Sequence, residues 1–160
     1  MKNLVIKTQV KELTWDELND EQRRLITIAK EQTNYSYCPY SKFHVGAAVE
    51  LENGEVIKGC NQENAAYPSG LCAERSALFA AGAAYPAEPV LRLAIACYTG
   101  GHFTQEPQAP CGACRLVMLE TEHRFGEKME VLLYGDKKIY VFESAADLLP
   151  LVFVSENLEG

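Results

Sequence analysis

The chain has no long apolar run, no internal repeat and no low-complexity tract. Its first apolar run, Leu4-Val5-Ile6, is too short for the core of a secretion signal. No other run approaches the roughly 20 apolar residues of a membrane span. The expectation is a cytoplasmic protein with no membrane partner. Positive charge is also in deficit, since 15 Lys and Arg against 22 Asp and Glu leave a net charge of −7. Such a surface repels a phosphate backbone, which argues against a nucleic-acid partner and leaves a small, weakly charged ligand open. Histidine is scarce, and His44, His102 and His123 all read as structural or surface residues rather than metal ligands.

What the chain does have is cysteine, six residues at positions 38, 60, 72, 97, 111 and 114. Without a secretion signal, free thiols and a metal site fit these better than disulfides. The length, 160 residues, suits one domain over 1–160. Thr14 with Glu17, and Asn19 with Gln22, have the form of helix capping boxes, and Leu25, Ile28, Ala29 and Gln32 trace the helical face that follows. Leu4, Ile6 and Val10 suggest a strand over 3–10. The stretch FHVGAAVEL, then Asn53-Gly54, then EVIKGC predicts a hairpin with a type I′ turn. An alanine-rich helix over 72–84, a buried strand VLRLAIAC, a loop over 98–110, a helix from Cys111, two strands (MEVLLYG and KKIYVF) and a short helix over 143–149 complete the chain. The order α-β-β-α-β-α-β-β-α predicts an α/β domain of five strands in one sheet covered by helices.

The chemistry concentrates at LCAER and APCGACR. Cys72, Cys111 and Cys114 all fall at predicted helix N-termini, where unpaired N–H groups and the helix dipole favour a thiolate. Cys111 and Cys114 have the C-x-x-C spacing that lets two sulfurs reach one ion, and Cys72 supplies a third. Three protein ligands leave one tetrahedral position for water, the pattern of a catalytic zinc site, and Glu74 stands where it can take and return that water's proton. Three thiolates on Zn²⁺ leave one net negative charge, which opposes ionising the water. Arg75, three residues from Cys72, is placed to donate to the thiolates and relieve that charge. Arg115 reads equally well as a second such donor or as a plain helix residue. Cys38, Cys60 and Cys97 read as packed thiols.

These motifs resemble the zinc-dependent nucleoside deaminases. PYSKFHVGAAV at 39–49, GCNQENAAYPSGLCAER at 59–75 and LLPLVFVSENL at 148–158 are similar, more narrowly, to the small homotetrameric cytidine deaminases. The resemblance runs from about residue 17 to 158 and marks 1–13 as an N-terminal extension. It implies an α/β/α layered fold with a five-stranded mixed sheet and one zinc ion per subunit. The implied reaction is hydrolysis of cytidine and 2′-deoxycytidine to uridine and 2′-deoxyuridine, a step of pyrimidine salvage. It further implies that Glu74 carries protons at the pyrimidine, that the Ala73 N–H and the Cys111 carbonyl hold the base, and that Phe43 packs against it. Asn61 and Glu63 match the ribose-binding pair. Tyr40 and Tyr67 match residues near shared sites, and Phe153 matches an aromatic that reaches a neighbouring subunit, so a homotetramer is implied as well. The chain departs from the family pattern at Ala109, where Ser is usual, at Leu116, where Gln is usual, and in a longer 98–110 stretch. Three other readings stay open: a sibling deaminase of broader substrate range, a structural zinc module used for binding, and a polynucleotide editor, the last disfavoured by charge.

Overall fold

Three strands with hardly an exposed position organise the molecule: β2 (His44–Leu51), β4 (Val90–Thr99) and β6 (Glu130–Tyr134). Their consecutive residues point to opposite faces, and both faces are covered. Ala48, Ala94, Ala96 and Leu132 meet Leu25, Ile26 and Ala29 of helix α1 (Asp20–Gln32). Ala47, Val49, Leu93, Ile95, Val131 and Leu133 meet the other helical layer, formed by α2 (Ala73–Ala84) and α3 (Gly112–Phe125), through Ala77, Leu78, Ala81 and Met118. This computed structural model describes residues 1–158.

The remaining strands are β1 (Lys11–Leu13), β3 (Val56–Cys60), β5 (His102–Phe103) and β7 (Ile139–Phe142). The sheet runs β1-β7-β6-β4-β2-β3, with β5 paired to the end of β4. β4 and β6 are parallel and every other pairing is antiparallel, so α3 is the crossover that parallel strands require. The sheet therefore has seven strands rather than the expected five. The five long ones are all present; β1 and β5 are added, and at three and two residues they are too short for an alternating pattern to register.

Several local expectations shift. The N-terminal strand is Lys11–Leu13, not 3–10, because pairing with β7 rather than alternation defines it. Both capping boxes form. The Glu17 carboxylate accepts from the Thr14 N–H at 2.8 Å, though over a 3-10 turn, and Asn19 and Gln22 exchange bonds at 2.8 and 3.1 Å at the start of α1. In the β2–β3 turn only Gly54 has positive φ, 86°, so the turn is not type I′. Leu51 pairs with Glu55 around a three-residue loop instead. The two-residue hairpin lies at Gly100-Gly101, φ 61° and 88°, joining β4 to β5 inside the stretch expected to be loop. The segment at 143–149 is a 3-10 turn over Ala145–Leu148.

Two close approaches set the layer spacing. A Cβ on Gly46 would lie 2.0 Å from the Ala29 carbonyl, so α1 rests directly on β2. A Cβ on Gly59 would lie 2.4 Å from the Ala73 carbonyl and 2.6 Å from the Ala77 N, so the first turn of α2 rests on β3.

Candidate functional site

The two close-packed helices of one layer bring their N-termini together. Cys72 is the N-cap of α2 and Cys111 the N-cap of α3, both in extended conformation and neither using its side chain to cap the helix. Cys114 lies in the first turn of α3 and is fully buried. The sulfurs turn toward one another: Cys72 to Cys111 is 3.8 Å, Cys111 to Cys114 is 3.4 Å, and all three lie within 4.8 Å of one another. A tetrahedral zinc with bonds of about 2.3 Å to sulfur sets its ligands about 3.8 Å apart, so the three fit one ion. Among the described residues this is the one cluster of three or more candidate ligands, and no histidine belongs to it.

The charge of the cluster is uneven. The Cys72 thiol is lowered to about 5, first because Cys114 donates to it and then because the Arg75 guanidinium does. Arg75 Nη2 lies 3.6 Å from the Cys72 sulfur. Cys114, as the donor, is pushed up in turn. Glu74, one residue into α2 and 5% exposed, has its carboxyl raised by burial. A raised carboxyl holds and releases a proton nearer neutral pH than a solvated one. Glu74 opens on a cavity of about 250 Å³, lined among others by Phe43, Asn61, Cys72, Ala73, Gln108 and Cys111. A wider groove of about 580 Å³ adjoins it, sharing Asn61 and Cys72 and adding Tyr40, Glu63, Tyr67 and Arg75. The groove is the larger, but the reactive groups face the smaller cavity.

Residues 19–125 match the family model described as "Cytidine and deoxycytidylate deaminase zinc-binding region". The chain belongs to that family. A cytidine deaminase of Halalkalibacterium halodurans is 37% identical over 140 residues, covering 88% of this chain and 92% of that protein. One from Sporosarcina psychrophila is 39% identical over 84% of this chain and 93% of that protein. The crystal structure of a cytidine deaminase from Burkholderia pseudomallei superposes with a TM-score of 0.71 at 42% identity, covering 85% of this chain and all of that one. As a member of a zinc-binding deaminase family, the chain has in Cys72, Cys111 and Cys114 the donor set such a metal needs. The family match contains these three and Glu74, and ends before the C-terminal segment that carries Phe153.

The other predicted site residues separate into three groups. Phe43, Asn61 and Ala73 line the cavity with Glu74. Asn61 also braces the backbone around the cavity. Its Oδ1 accepts from the Val45 N–H at 2.8 Å and its Nδ2 donates to the Phe43 carbonyl at 2.9 Å. Glu63 and Tyr67 line the outer groove. Glu63 accepts from the Tyr40 and Ser41 N–H groups at 2.9 and 3.2 Å, and the Ser41 hydroxyl, then these amides, hold its carboxyl low. Tyr67 is 75% exposed, with its ring edge-on to Tyr40. Phe153 lines neither space and is 67% exposed. The Cys111 carbonyl accepts from the Arg115 N–H at 3.0 Å, the first bond of α3. His102 sits on β5, its Nδ1 against the Phe103 carbonyl.

Three features had no sequence signal. Gln108 reaches the cavity because the extended 98–110 stretch is clamped to the β6–β7 turn, with Asp136 N–H to Thr104 O at 2.9 Å and Lys137 N–H to Gln105 O at 3.0 Å. Cys97 lines the floor of the cavity. Glu122, buried on α3, accepts from Met129 N–H, Ala145 N–H and the Ser144 hydroxyl at 2.7, 2.8 and 2.9 Å, and so fixes the turn after β7.

Proposed function

We propose that the chain hydrolyses cytidine and 2′-deoxycytidine to uridine and 2′-deoxyuridine with release of ammonia, as a step of pyrimidine salvage. The observation that carries this reading is the buried Glu74 carboxyl opening on a cavity that Cys72 and Cys111 also line, beside three sulfurs spaced for one ion. Cys72, Cys111 and Cys114 hold the zinc, which when bound acts as a Lewis acid that makes water acidic enough to be a nucleophile near neutral pH. Arg75 donates to the Cys72 sulfur and draws negative charge off the ligand set. Glu74 takes a proton from the water and passes it to N3 of the pyrimidine. It then delivers the second proton to the amine at C4. Oxygen is added at C4, the bond from C4 to the amine breaks, and ammonia leaves, so water and cytidine are consumed one for one.

The remaining residues bind and orient. The Ala73 N–H and the second lone pair of the Cys111 carbonyl hold the base, and Phe43 covers it. Asn61 and Glu63 take the ribose hydroxyls, so a free base leaves buried polar groups unpaired and is a poorer substrate. The low-held Glu63 carboxyl and the net charge of −7 favour a neutral nucleoside over a nucleotide or polynucleotide. Tyr40, Tyr67, Leu151 and Phe153 are all exposed in the single chain, which supports a homotetramer whose neighbouring subunits complete each site. No described helix is long and apolar enough to cross a membrane, and the proposed place of work is the cytoplasm.

The test follows cytidine by ultraviolet absorbance with wild type and Glu74→Ala side by side. The expected result is turnover by the wild type and a loss of at least about 100-fold in the variant. Equal rates would remove Glu74 from the mechanism. An inert, zinc-loaded wild type would favour a sibling substrate or a binding role.

A further inference from the structure

Arg115 follows the C-x-x-C pair, yet the bonds it makes are to backbone rather than sulfur. Its Nε donates to the Pro110 carbonyl at 2.8 Å and its Nη1 to the Leu148 carbonyl at 2.9 Å. Pro110 immediately precedes Cys111. Leu148 ends the 3-10 turn after β7. Glu122 fixes the start of that turn at Ser144 and Ala145, and its far end is held by residues that precede the family match. Thr8 donates its hydroxyl to the Asp147 carbonyl at 2.6 Å, Lys11 meets Glu143 at 2.7 Å, and β1 pairs with β7. Residues 8–13 precede the family match, which begins at residue 19.

We propose that Arg115 is a positioning residue for the metal-ligand loop and that the N-terminal segment 8–13 acts in series with it, as a strap. The segment holds the 145–148 turn, the turn holds Arg115, and Arg115 holds Pro110 and therefore Cys111. The inference rests on the reading of the three cysteines as zinc ligands. Its physical basis is the unequal footing of those ligands. Cys114 is buried in the first turn of α3, and Cys72 is partly buried and bonded by Arg75. Cys111 is exposed and stands at the end of the loop that runs from β5 to α3. Ligands leave an ion one at a time, and the first to leave is the one whose backbone is freest. A guanidinium with two fixed acceptors removes that freedom, because its planar fork bonds both carbonyls in one orientation. Arg115 thus governs how long the ion stays rather than what happens to the substrate.

The experiment measures zinc transfer from the zinc-loaded, full-length protein to excess chromogenic chelator, beside the thermal midpoint of each variant. Arg115→Met is expected to lose zinc about tenfold faster, the low end for removing a group that orients a ligand. Arg115→Lys, which can serve only one carbonyl at a time, falls between. Thr8→Val speeds loss by a smaller factor in the wild type and adds nothing to Arg115→Met, because the two act in series. Zinc loss at the wild-type rate in Arg115→Met, with only the thermal midpoint lowered, would overturn the proposal. So would equal acceleration by Thr8→Val in both backgrounds, which would make the strap independent of Arg115. If Arg115→Met does not fold, Thr8→Val in the wild type and in Arg115→Lys decides by the same comparison. No nucleoside enters the assay, so its outcome stands apart from that of the cytidine test, and a wild type that takes up no zinc would instead remove the reading beneath it.

Discussion

Glu74 and Cys97 illustrate how burial sets chemistry one residue at a time. Both face the cavity floor, and both lose water that would stabilise their charged forms. For Glu74 the result is a carboxyl able to keep a proton; for Cys97 it is a thiol unable to lose one, raised to about 12 by burial and then by the Glu74 charge. Cys97 is therefore expected to resist iodoacetamide in the folded protein at pH 8, while the partly exposed Cys60 is alkylated; mass spectrometry of the two peptides reads this directly. The sign of the linked stability follows. A folded-state value above the unfolded 9.0 leaves stability intact below pH 9, with loss as the pH rises from about 9 toward about 12. Fast alkylation of Cys97 in a fully folded sample would mean the cavity floor is open to solvent. The residues that carry charge or coordinate are the most legible in the sequence, because LCAER and APCGACR are each contiguous. Arg115 stands between two readings in the sequence for the opposite reason: its partner Leu148 lies 33 residues away, and no local pattern encodes that meeting.

At the scale of elements, legibility follows length. The Asn19 box, the alanine-rich α2 and the long strands β2 and β4 follow their periodicities, while β1 and β5 exist only through partners distant in sequence or across a glycine pair. The periodicity of α1 traces a face through Ile28, yet Ile26 is the residue fully buried beside Leu25 and Ala29. Ile28 still packs against the same cluster, partly buried, so the apolar stripe of α1 is one row wider than the periodicity marks. The fit of α2 on β3 is the element-level determinant of the site, because it sets where Cys72, Ala73 and Glu74 stand. Gly59→Ala forces a methyl group to within 2.4 Å of the Ala73 carbonyl. A shift of α2 is the only relief, since the obstacles are backbone and a short side chain. The expected cost is about 1–3 kcal/mol in chemical denaturation. Catalytic rate should fall with it, because the Glu74 carboxyl moves with the helix. Unchanged stability and turnover would show that the layers can separate without disturbing the site.

For the molecule as a whole, the exposed aromatic and aliphatic residues lie mainly outside the core sheet, at Tyr35, Tyr40, Tyr67, Phe79, Leu151 and Phe153. A single chain gains nothing from burying its Phe153, so Phe153→Ala should leave the unfolding of an isolated subunit within about 0.5 kcal/mol of wild type. In the proposed homotetramer the same change removes an aromatic from a neighbour's site. Turnover should drop, with a shift toward smaller species in sedimentation velocity. A wild type that sediments as a monomer with full activity would sink the shared-site reading and make the exposed residues an unexplained surface. Nothing in composition or periodicity points to the assembly; it enters through resemblance alone, since a surface that is apolar in one chain looks the same in sequence whether or not a partner covers it.

The distance along the chain between Cys72 and Cys111, 39 residues, has a meaning for folding as well. An ion held by both is a cross-link, and it closes a loop containing all of α2, β4 and β5. For a covalent link of that span, the chain-entropy relation gives about 4 kcal/mol taken from the disorder of the unfolded chain. Metal that also binds unfolded thiols thereby removes the 39-residue separation between the N-termini of α2 and α3, so the three sulfurs proposed to hold the ion would also help the two helices of one layer find each other.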